Sequence, residues 1–206
     1  MYQKINSETI ERAKRVNELG ICVVPPLNLF YYYSILYSAE CSFKAFEFYE
    51  SLLTHKDVDP IQLVGAVQEA ISHAGNLSFY FWNNGNSKMK KEIKEYIQNR
   101  SSSLRKDFNL KDDSPLKNRN LRNTFEHFDE KVDIFLINNI AGTFIPMPII
   151  GKHTDLEEQQ LNKNFKLLDI QDKCLVLLNN KFFFEDIQNE VIKIYDSAQK
   201  MVKKHG

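Results

Sequence analysis

In NLRNTFEHFDEKVD, residues 120–133, the apolar side chains Leu121, Phe125, Phe128 and Val132, continued by Phe135, recur at steps of four, three, four and three. With about 100° between successive residues, that row forms one core-facing stripe and predicts an amphipathic helix. On the same wheel Arg122 lies about 100° to one side of the stripe and His127 about 120° to the other. Asn123, Glu126 and Glu130 fall between them. An arginine and a histidine thus flank one polar helix face.

Outward from this segment the chain reads as mainly α. Helices are predicted over about 7–19, 27–53, 60–82 and 87–108, with Ser7 as a cap and Asp59 capping a helix that opens on Pro60. The second is rich in Tyr, Phe and Leu on more than one face, as suits a central helix whose aromatic residues, Tyr31, Tyr32, Tyr33, Phe43, Phe46 and Phe48, pack in the core. Ser114 and Pro115 begin the motif helix, which runs to about Ile137. Beyond Asn138 a long connection with two prolines and two glycines leads into the short apolar runs of FKLLDIQDKCLVLLNNKFFFEDIQNEV. These runs predict two or three antiparallel strands in a meander, before a last helix from about Glu185 to Lys203. The expected architecture is an antiparallel helical bundle with a small C-terminal β-meander and a final helix. It forms a single domain over 1–206, with a helical core to about 137 and a β-containing extension from about 138.

Composition narrows the function classes. Of the 206 residues 43% are hydrophobic and 26% charged, the balance of a packed globular domain rather than a disordered chain. Cys22, Cys41 and Cys174 are odd in number and far apart, which predicts reduced thiols and a cytoplasmic protein. The charged N-terminus predicts no secretory leader, and Pro25, Pro26 and Asn28 interrupt the most apolar stretch, so no membrane association is expected. Formal net charge is zero, yet Lys88 to Arg122 holds eleven Lys/Arg against five Asp/Glu. Such a local basic excess suits a phosphate backbone, and equally a solvated helix face.

The hexapeptide RNTFEH, Arg122 to His127, resembles the R-x4-6-H signature of HEPN-domain ribonucleases, and Asn123 matches the polar residue that often follows the arginine there. The wider run LRNTFEHFDEKVD, ahead of a short meander and a final helix, also looks like a group of HEPN-like bacterial proteins. The resemblance implies a metal-independent endoribonuclease, a toxin or phage-defence effector, that cleaves RNA by attack of its own 2′-hydroxyl. Arg122, Asn123 and His127 would be catalytic, with Glu126 as an orienting residue. The residue types fit that chemistry. Histidine transfers protons near neutral pH, and the arginine fork matches phosphate oxygens.

One chain carries one such pair, and family members of that kind are homodimers with a shared site. The resemblance therefore implies RNA as substrate, a second copy as partner and an antitoxin protein as a further one, with no cofactor and no metal. Other readings remain open. Arg122 can pair with Glu126 at i,i+4 and His127 with Asn123, both purely structural contacts. The alternative function is a non-catalytic HEPN-like helical module for nucleotide binding or protein interaction. A metal site would rest on Glu69 and His73, four apart, but lacks the paired Glu-x-x-His copies of di-iron bundles. His55, His153 and His205 fall in loops or at the terminus, where exposure is expected.

Overall fold

Local capping chemistry sets the first helix boundaries in the computed structural model, which describes residues 5–20, 27–85, 88–118, 128–155 and 162–205. Helix α1 spans Ser7–Glu18, and its cap is Asn6, whose side chain accepts from the Thr9 amide at 2.8 Å. The cap therefore sits one residue earlier than expected. Helix α2 spans Asn28–Leu52. Helix α3, Pro60–Phe81, starts as expected, with the Asp59 carboxylate accepting from the Ile61 amide and Pro60 in the first turn, where no N–H is needed. Helix α4 covers Lys91–Asp107. Pro115 opens only a three-residue 3-10 turn, and Asn118 after it is extended, so the helix expected from Pro115 to Ile137 is not continuous. Its described part, α5, spans Phe128–Asn138.

The remaining chain forms strands β1, Thr143–Ile150, β2, Asn162–Asp169, β3, Cys174–Leu177, and β4, Asn180–Phe183, followed by helix α6, Glu185–His205. The protein is mainly α. The sheet order is β1-β2-β3-β4, with β2, β3 and β4 antiparallel in succession. Strand β1 lies within the segment expected to be a long connection, and it pairs parallel with β2. Pro146 and Pro148 hid it. At the edge of a sheet a strand can spare the N–H groups that proline lacks, and the register indeed shifts between Ile145 and Pro148.

The core lies where α2 meets α3 and α6. Small residues let α2 and α3 approach closely. Ser42 is fully buried and donates its hydroxyl to the Ala70 carbonyl at 2.7 Å, and Ala39 on α2 and Ala66 and Ala74 on α3 are buried too. Enlarging Ala70 to leucine would force the helices apart, a kind of overpacking that costs about 1–3 kcal/mol. Toward α6, Phe46 and Tyr49 pack against Phe184 with ring centroids 6.0 and 5.7 Å away, and Phe43 stacks on Tyr195 at 5.2 Å. Not all the aromatic residues expected in the core reach it: Tyr33 is 51% and Phe48 53% exposed. A helix apolar all round cannot bury every face against two neighbours.

Arginines tie α4 to the C-terminal end of α3. Arg100 donates to the Phe79 and Tyr80 carbonyls at 3.2 and 2.8 Å, and Arg105 donates to that of Phe81. Those carbonyls lack partners within their own helix, and a cation there also suits the helix dipole. Two residues of the basic segment are therefore engaged in structure. The sheet rests on α3 along β1, β2 and β3, and β3 is buried throughout.

Candidate functional site

Arg122, Asn123, Glu126 and His127 lie outside the described residues; the described chain resumes at Phe128, the residue after the motif. The placement of Phe128 is therefore the nearest anchor. Its ring lies 5.7 Å from that of Phe165 on β2. The Lys166 ammonium stands 5.3 Å from the Phe128 ring and 4.9 Å from the Phe165 ring, and donates to Gln68 Oε1 at 2.7 Å. Burial pushes the Lys166 pKa below the usual lysine value. A half-buried cation thus stands beside Phe128, held by two aromatic faces and one amide.

From Phe128 onward the predicted stripe does face the protein. Val132, Phe135 and Leu136 of α5 look toward Phe144, Phe165 and Leu178 of the sheet region. They do not close against them: a cavity of about 380 Å³ separates the two sides, walled almost entirely by carbon. No residue of α5 is buried. On its outer side Ile134 and Ile137 are 60% and 73% exposed. This helix is apolar on two sides and packed well on neither.

A second polar cluster sits past the end of β1. The Asp169 carboxylate accepts from the His153 amide at 2.9 Å, from the His153 ring Nδ1 at 2.8 Å and from the Asp172 amide at 3.1 Å. His153 is 9% exposed, which corrects the expectation of a solvated loop histidine. Two partners sixteen residues apart, joined through parallel strand pairing, leave no local spacing in the sequence to betray them. Burial works against the Asp169 charge, but the backbone donors and the ring outweigh it and hold its carboxyl below the usual aspartate value.

His153, Asp169 and Asp172 form the one triad of potential metal-ligand atoms among the described residues. Asp169 thus ties the His153 amide and ring on one oxygen to the Asp172 amide on the other. The cluster therefore acts as a latch between the end of β1 and the β2–β3 turn. Glu69 is exposed and His73 partly buried on α3, and neither belongs to that triad.

No protein-family model, curated protein or solved structure matches this chain. The candidate site accordingly stands on its own residues: the motif, the Lys166 anchor beside its end, and the apolar cavity beneath α5. Among the described residues, no helix is long and apolar enough to cross a membrane.

Proposed function

We propose that this protein is a metal-independent endoribonuclease of the HEPN type, acting as a homodimer. The observation that carries the reading is the hexapeptide RNTFEH, one residue ahead of Phe128. In the proposed reaction His127 moves the proton of the RNA 2′-hydroxyl as that oxygen attacks the adjacent phosphorus. Arg122 neutralises charge on the phosphorane oxygens, Asn123 assists, and Glu126 orients. The leaving 5′-oxygen takes up a proton, and the products end in a 2′,3′-cyclic phosphate and a 5′-hydroxyl. The basic excess of Lys88 to Arg122 favours an RNA backbone nearby. The reading carries with it an antiparallel bundle arrangement of the helices completed by the C-terminal meander. It also carries a cytoplasmic toxin or phage-defence role, with an antitoxin protein as partner.

Purified protein incubated with single-stranded RNA in EDTA tests it. Cleavage is expected to persist under chelation and to leave cyclic phosphate ends. His127→Ala and Arg122→Ala are expected to lower the rate by about 10²–10⁴. Both residues lie off the apolar stripe, so thermal melts should register a change of about 1 kcal/mol or less. Cleavage at the wild-type rate by folded His127→Ala would remove the motif from the reaction.

A second reading, a non-catalytic helical module for nucleotide binding or protein interaction, draws support from one observation. Ile134 and Ile137 present a solvent-facing apolar surface on the helix that follows the motif. Absence of cleavage by the folded wild-type protein would favour it.

A further inference from the structure

Two carboxylates converge on one ring nitrogen past the end of β1. Nδ1 of His153 stands 2.8 Å from an Asp169 oxygen and 3.4 Å from an Asp172 oxygen. We propose that His153, Asp169 and Asp172 bind one divalent transition-metal cation of the zinc class, which clamps the end of β1 to the β2–β3 turn. The hydrogen bonds described above hold the latch together in the metal-free protein, and the cation tightens it.

The chemistry of Nδ1 is the first argument. That atom offers either one N–H or one lone pair. As an N–H it serves a single carboxylate and leaves the other facing a filled position. As a lone pair it faces a carboxylate oxygen at hydrogen-bond distance with no proton between them. A cation among the three atoms satisfies all of them. Spacing is the second argument. Around an ion with bonds of about 2.0–2.2 Å, neighbouring ligand atoms stand roughly 2.8–3.6 Å apart, and both measured distances fall in that range. All three ligand atoms lie within 4.8 Å of one another, and rotation of the exposed Asp172 side chain closes what remains. One imidazole with two carboxylates suits zinc, manganese or iron, whereas magnesium and calcium prefer oxygen alone.

The surroundings add an independent observation. Tyr49 is 1% exposed, and its hydroxyl has no hydrogen-bond partner. Its ring meets that of Phe184 edge-on, and the Phe184 amide donates to the carbonyl of Lys173, the residue after Asp172. The Asp169 charge acts on this phenol, after burial and Glu50. A buried hydroxyl without a partner calls for one, and water carried by a bound cation is a suitable donor and acceptor. The backbone amides that hold Asp169 would fix its orientation, as outer partners of metal-binding carboxylates do. Asp172, its side chain 58% exposed, gives the ion a way in from solvent.

Protein stripped with EDTA, dialysed into neutral buffer and titrated calorimetrically with zinc chloride tests the assignment. Saturable binding of one ion per chain is expected, with the melting temperature rising as zinc is added. Magnesium chloride at the same concentrations should do neither. Asp172→Ala alters an exposed side chain, so its metal-free melt should stay close to that of the wild type. Its zinc affinity should fall about tenfold or more. His153→Gln, measured alongside, should lose zinc to at least the same degree. No saturable zinc binding by the folded wild-type protein would overturn the proposal. Unchanged affinity in either folded variant would also overturn it, by placing the ion on histidines outside the cluster. RNA cleavage in EDTA is measured separately and tests the motif alone.

Discussion

Asp169 concentrates more fixed hydrogen bonds than any other carboxylate described above, and its consequences are local and titratable. Its pKa is held below the ordinary aspartate value, so the folded state binds its proton less readily than the unfolded chain does. The stability that it contributes is complete above the unfolded aspartate pKa and is lost as pH falls through the folded one. Urea unfolding followed from neutral pH into the acid range should show a decline in the wild type that Asp169→Asn lacks. At neutral pH the variant should be less stable by about 1–3 kcal/mol, since an amide cannot accept all three donors. A slope shared equally by variant and wild type would assign the acid sensitivity to other carboxylates. Where partners were close in sequence the residue scale was legible beforehand, as for Asp59 capping at Pro60. His153 was not, because its partner arrives only once β1 and β2 have paired.

Helix α5 is the element whose packing departs furthest from what its pattern promised. The stripe of Phe128, Val132 and Phe135 does turn toward the sheet, as the periodicity requires; Phe128 packs on Phe165, but Val132 and Phe135 meet a cavity instead of a complementary surface. Periodicity reports which face is apolar and carries no information about how closely the opposing surface fits. Helices in proteins owe most of their stability to tertiary packing of an amphipathic face, and none of the described residues of α5 is buried. Its backbone amides should therefore exchange with deuterium orders of magnitude faster than those of α3, where Val67, Ala70, Ile71 and Ala74 are fully buried. Mass spectrometry of peptides covering 128–138 and 60–81 measures both. Equal protection would mean that α5 gains cover in solution from another molecule. The boundaries of α2 and α3 were legible because strong breakers stand beside them in the sequence, Pro25 and Pro26 before α2 and Asp59-Pro60 at the start of α3. Strand β1 was not, because its own breakers stand inside it.

For the whole molecule the proposed shared site requires two copies, and light scattering during size-exclusion chromatography should return a dimer mass at tens of micromolar. A monomer at that concentration would leave the paired-site geometry without a partner. Strand β1 carries a different consequence for the molecule in a crowded solution. Among the described residues it is an outermost strand of the sheet, and its sequence TFIPMPII would, without its prolines, be an uninterrupted β-prone apolar run at that edge. Such an edge is a template on which further chains can add by strand pairing. Pro146 and Pro148 remove two of the donors that a newcomer would need, and the irregular register between Ile145 and Pro148 spoils a flat repeat. Replacing both with valine should leave the helical content unchanged while making the protein form thioflavin-binding aggregates within hours at a concentration where the wild type stays clear. The residues that concealed this strand would then be the gatekeepers that keep it from recruiting its own kind.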